Sequence, residues 1–254
     1  MQTTEVIVLL SGYELLIALF MVWLGATVMG SVGFGMGLVV SPVLLLLVEP
    51  QMVVVVVNAE IGLLTMLVLA RNWRHVNLKA ALWMSIGGVA AAPIGVLLLG
   101  SASPGTLRIA VSMVVLALAG LMVFDIQLPG VRRRFAGPVF GFLSSLSVTA
   151  LSIGGPLAAI YALAQGWPPR TVRASLALYF LTYEITAFAL YAWTGLIHRG
   201  TLANVAVLAP GLALGFGLGT FLATRMDQRA FRRVALTVII GGSLVLMVRE
   251  VARF

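Results

Sequence analysis

The chain has 254 residues, 61% hydrophobic and only 9% charged, with a mean hydropathy of +1.11, which excludes an ordinary soluble domain and leaves a polytopic helical membrane protein. Its net charge is +8, but the sixteen Lys and Arg residues stand almost wholly in short connections between apolar runs, where they fix orientation; the high pI is therefore not a sign of nucleic-acid binding. With no cysteine, disulfides, iron–sulfur clusters and thiolate metal sites are excluded, and no cofactor or metal is expected.

In chain order, Met1 to Leu10 carries Glu5 and no basic residue, so it lacks the positive start of a cleaved secretory signal and the first apolar segment is expected to remain. Apolar windows then follow at 12–48, 51–70, 80–99, 106–124, 136–165, 174–196, 202–222 and 234–248. Six have the length of single spans. The windows 12–48 and 136–165 are too long for one crossing, since about 20 residues suffice at a rise of about 1.5 Å each. The first contains a glycine-dense polar stretch, Gly30-Ser31-Val32-Gly33-Phe34-Gly35-Met36-Gly37. The second contains a weaker counterpart, Ser144 to Thr149 running into Ser152-Ile153-Gly154-Gly155-Pro156. Polar main chain at membrane depth survives only inside protein or beside a wet cavity. Close helix packing on glycine explains such stretches without a ligand, but paired breaks in corresponding positions of two halves point to a transport site.

Charge orients the chain. If both long windows enter and leave on one side, Arg71, Arg74, Lys79, Arg132, Arg133, Arg134, Arg170, Arg173, Arg225, Arg229, Arg232 and Arg233 share a face, twelve against the remaining four. The positive-inside rule makes that face cytoplasmic and both termini periplasmic. Residues 136–147 and 152–165 would rise only about 18 Å and 21 Å as helices, short of a core about 30 Å thick, so a re-entrant hairpin is expected. Each half, 1–128 and 129–254, is then one hairpin plus three spans, the second inverted relative to the first, with the hairpin tips meeting near the midplane. Faint internal matches agree in order: Ser41-Pro42 with Gly155-Pro156, Glu49-Pro50 with Trp167-Pro168, and Pro93 with Pro210. The joint is Asp125 to Phe135.

On these residues, together with the Arg170-Thr171-Val172-Arg173-Ala174-Ser175 entry to the next helix, the chain resembles the sulfite exporter TauE/SafE family of membrane permeases over nearly its whole length. The resemblance implies movement of small sulfur-containing anions, such as sulfite or organosulfonates, across a prokaryotic inner membrane.

Two hairpin tips would supply what a small oxyanion needs: free N–H groups at helix beginnings, the positive dipole end, and hydroxyl donors. The expected substrate-binding residues are Ser31, Gly33, Gly35 and Gly37 in the first tip, and Ser145, Ser147, Thr149, Ser152, Gly154 and Gly155 in the second. The bland alternative for each hydroxyl is a bond to a preceding carbonyl of its own helix. Asn58, within a turn of Glu60, could orient it or read substrate, and Ser175 matches it at an offset of 117. Arg173 could draw anions toward the site or merely face lipid phosphates. Glu60 and Glu184 stand near the middle of apolar windows, where a carboxylate is functional by default; either could carry a proton coupled to anion movement, or be a neutral acid bonded to broken-helix backbone.

An intramembrane enzyme is disfavoured, because a serine nucleophile would lack its base: no histidine or aspartate falls within a span and no H-E-x-x-H occurs. The expectation is an all-helical secondary carrier that exports a small sulfur-containing anion with proton coupling. A passive anion channel or a lipid-phosphate carrier is the alternative. The expected partners are the anion and membrane lipids, not nucleic acid, with oligomeric state left open, a homodimer included.

Overall fold

A computed structural model describes residues 12–123, 131 and 135–225 of the chain. The window 234–248, the joint from 125 to 134 apart from Val131, the chain termini, and Arg132, Arg133, Arg134, Arg229, Arg232 and Arg233 lie outside the described residues. What is described is all-α: α1 Gly12–Val32, α2 Met36–Leu44, α3 Pro50–Asn72, α4 Leu78–Ser101, α5 Pro104–Val123, α6 Ala136–Leu151, α7 Gly155–Ala164, α8 Pro169–Trp193 and α9 Arg199–Arg225. Five of these, α1, α3, α4, α8 and α9, are long and apolar enough to cross a membrane. The protein is a polytopic membrane protein, and its outer surface carries Leu97, Ile185, Trp193 and Leu214, each more than half exposed, as a lipid-facing surface requires.

Local sequence fixes where the helices begin. Pro50 and Pro169 sit in the first turns of α3 and α8, where a missing N–H costs nothing. Asn77 caps α4, its side chain accepting from the Ala80 N–H at 3.2 Å.

Both long windows are broken, but more briefly than the sequence suggests. In the first, helix continues through Gly30, Ser31 and Val32, and only residues 33–35 lie outside it. Gly33 and Gly35 take φ of +93° and +101°, a region that glycine enters without a Cβ penalty. In the second, α6 runs on through Ser144, Ser145, Ser147 and Thr149 as far as Leu151. The Thr149 hydroxyl donates to the Ser145 carbonyl one turn earlier, so this residue lies in the helix with its hydroxyl satisfied. α6 and α7, of 16 and 10 residues, rise about 24 Å and 15 Å, each short of the membrane core. α1, of 21 residues, rises about 31 Å and is long enough to cross.

Glycine faces bring the long arms of the broken windows against helices from the opposite half of the chain. Gly211, Gly215 and Gly219 of α9 meet the carbonyls of Leu19, Trp23 and Thr27, so α1 and α9 run side by side in the same direction. Gly87 and Gly95 of α4 meet Pro138 and Thr149, and Gly141 of α6 meets Met84, so α4 and α6 also run together. A methyl at any of these glycines would collide with its neighbour, which is why the backbones approach so closely.

At one end of the bundle the Asn77 N–H donates to the Ser175 hydroxyl at 2.9 Å and Arg71 reaches Thr220 at 3.3 Å. At the other, Arg108 donates to the Leu45 carbonyl and Asn204 to the Met52 sulfur. α1 and α2 enter and leave at the second end. α6 and α7 enter and leave at the first, where Gln165 donates to the Val131 carbonyl at 3.2 Å.

Candidate functional site

The two breaks touch. The Ser41 and Ser152 hydroxyls are hydrogen-bonded at 2.6 Å, both buried, and Ser152 also donates to the Leu151 carbonyl at 2.7 Å, so the proton between the serines comes from Ser41. A Cβ on Gly37 would collide with the Ser152 carbonyl, and one on Gly155 would sit 3.1 Å from the Phe34 Cβ. Ser152 itself takes φ of +56°, a left-handed conformation that costs a residue with a side chain roughly 1–2 kcal/mol. Only a packed surrounding holds it there.

Between the breaks lies a cavity of about 20 Å³, room for roughly one water. It sits at mid-length of α3 and α8, bounded there by Ile61, Phe180 and Tyr183, and it is closed by the first turns of α2 and α7. In the first turn of α2 the N–H groups of Met36, Gly37 and Leu38 have no carbonyl one turn earlier, and in α7 only that of Gly155 is in the same position, because Pro156 has no N–H and Leu157 donates to the Gly154 carbonyl at 3.0 Å. Of the side chains lining the cavity, only Ser152 and Tyr183 carry a polar group, and none is charged.

Of the residues singled out in the sequence, Gly35, Gly37, Ser152, Gly154 and Gly155 line this cavity. The others stand around it. Ser31 donates to the Val28 carbonyl of its own helix at 2.8 Å. Gly33 packs under Arg173, whose Nη1 donates to the Ser31 carbonyl at 3.2 Å and whose Nε is buried without a partner. Ser145 donates to the Gly88 carbonyl at 2.7 Å, joining α6 to α4. Ser147 is half-buried near the end of α6 and its carbonyl accepts from the Ile153 N–H. Ser175 is committed to Asn77.

Asn58 spends both amide protons behind the cavity wall, on the Val148 carbonyl at 3.0 Å and the Tyr191 hydroxyl at 2.9 Å. Tyr191 in turn donates to the Thr149 carbonyl at 2.6 Å. Asn58 Oδ1 and both oxygens of Glu60 have no hydrogen-bond partner, so Asn58 does not hold Glu60; two positions apart on a helix, they point about 200° apart. Glu184 is likewise buried with neither oxygen partnered.

Two residues of the site were not read from the sequence. Ser41 figured only as a repeat marker beside Pro42. Tyr183 was passed over beside Glu184, although a tyrosine far from the ends of a span is outside the usual interfacial belt and was the available signal.

A family profile described as sulfite exporter TauE/SafE matches residues 17–246, a stretch that contains both breaks. The chain belongs to the sulfite exporter TauE/SafE family. A relative in Cupriavidus necator, the probable sulfite/organosulfonate exporter TauE, is 26% identical over 229 residues, covering 87% of this chain and 88% of that protein. No solved structure matches the chain. As a TauE/SafE member the protein is a multi-pass membrane permease.

Proposed function

We propose that the protein is a secondary carrier exporting a small sulfur-containing monoanion, an organosulfonate or hydrogensulfite, across a prokaryotic inner membrane, with Glu60 or Glu184 carrying a coupled proton. The observation that carries the reading is the abutment of two helix starts, α2 and α7, on one buried cavity. Each helix beginning is equivalent to roughly half a positive charge. Two of them balance about one negative charge with no lysine or arginine in the lining. Anion transport as such is also what the family and the Cupriavidus relative's name support.

Inverted halves are supported by the exchange of arms, α1 on α9 and α6 on α4, and by hairpins entering from opposite ends of the bundle. The end holding Arg71, Arg74, Lys79, Arg170 and Arg173 is then cytoplasmic. A cavity of about 20 Å³ admits a water and not a four-atom SO₃ group, so loading separates the tips and alternating access follows from their parting on one side at a time.

Uptake of labelled sulfite and an alkyl sulfonate into proteoliposomes tests this. The expected result is saturable flux that accelerates under an imposed pH gradient and discriminates against sulfate. Flux that follows voltage without saturating indicates a channel, and sulfonate-independent flux of lipid phosphate indicates the carrier alternative.

A further inference from the structure

We propose that the Tyr183 hydroxyl is the specificity-determining side-chain donor of the anion site, kept without a protein partner on a residue of the cavity wall for an oxygen of the bound sulfonate group. This rests on the reading that the cavity is where the anion binds. Tyr183 is fully buried, lines the cavity, and its hydroxyl has no hydrogen-bond partner among the described residues.

Among the buried tyrosines of α8 such a group is the exception. The neighbouring tyrosines on α8 are equally buried but committed: Tyr179 donates to the Gly141 carbonyl at 2.6 Å, and Tyr191 bonds both Asn58 and Thr149. The other hydroxyl in the lining, Ser152, has its proton on the Leu151 carbonyl and takes another from Ser41. Tyr183 is thus the one lining side chain with a proton to give.

The ring is fixed where that proton is useful. It lies edge-on to Phe180 with centroids 6.0 Å apart and packs against Tyr179 at 5.1 Å, while its Cβ and Cδ1 face Gly88 of α4. A phenol held this way gives up little rotamer freedom on binding. An unpaired buried hydroxyl costs stability, and a hydrogen bond to a charged acceptor returns more than one to a neutral group. Once the tips part, an oxyanion with three oxygens therefore finds main-chain donors from α2 and from Gly155 of α7 on one side and a neutral phenolic donor on the other. An analogue that offers fewer oxygens leaves Tyr183 unpaired and binds less well.

The test is calorimetric titration of methanesulfonate and acetate into purified wild type and Tyr183→Phe, with melting temperatures recorded for both proteins without ligand. Removing the hydroxyl should weaken methanesulfonate about tenfold to a hundredfold, shrink the preference over acetate, and leave the unliganded melting temperature equal or higher. Equal methanesulfonate affinity in the two proteins overturns the assignment. So does a lower unliganded melting temperature with proportionally weaker binding, because the hydroxyl is then structural. If wild type binds no sulfonate or sulfite, the anion-site reading itself falls and this inference with it.

Discussion

The two breaks do the same job with different residues. The first is made of glycine: Gly33 and Gly35 supply left-handed backbone, and Gly37 leaves room for the Ser152 carbonyl. The second has a serine, Ser152, in the left-handed position, and gains from it a hydroxyl that reaches across to Ser41. A glycine there would be easier on the backbone and would leave Ser41 without its partner. One side of the joint therefore provides fit and the other provides the bond, which makes them unequal under mutation.

The largest expected effect is at Gly37. Gly37→Ala places a methyl into main chain of the second break and should lower transport about a hundredfold, as a displacement near 1 Å at a reacting centre does. Gly155→Ala meets the Phe34 Cβ at 3.1 Å and the Gly35 nitrogen at 3.3 Å, contacts that a small backbone shift relieves, and should cost less. Equal losses in a proteoliposome flux assay would mean that the two tips are not joined through the Gly37 contact.

Glu60 and Glu184 sharpen the comparison at the level of the helices behind each break. Glu60→Gln and Glu184→Gln should differ: the variant at the coupling residue keeps anion exchange but loses the acceleration by a pH gradient, while the other retains it. If both respond to the gradient like wild type, neither carries the proton.

A smaller effect is expected at Ser152. Ser152→Ala keeps the strained conformation and removes the hydroxyl, so it should lower stability by about 1–2 kcal/mol in detergent melts. Ser152→Gly removes the strain as well and should recover about 1 kcal/mol of that loss. An alanine variant as stable as the glycine variant would show that the left-handed position costs nothing.

The all-helical membrane fold was legible in the sequence, since composition and apolar windows leave no other solution, and so was the presence of two breaks, because glycine and proline interrupt an otherwise uniform pattern. The length of the second break was not legible. Serine and threonine are ambiguous at membrane depth: Thr149 satisfies itself on its own helix, Ser145 on a neighbouring one, and only Ser152 faces the joint. Which of the three roles a hydroxyl takes depends on partners that are distant in sequence. Arg173 is similar. It was placed at the start of a helix, but its contact with the Ser31 carbonyl depends on the first break folding back to meet it.

The pairing of α1 with α9 and of α6 with α4 bears on how the protein is made. α1 emerges well before α9, whose glycine face covers it and is translated about 190 residues later. Until then its inner surface must wait in the bilayer or lean on a temporary neighbour, and contacts so distant along the chain form slowly. A product that stops before α9 should thus be left with α1 unclasped, and removal by membrane quality control, rather than partial activity, is the fate expected of it.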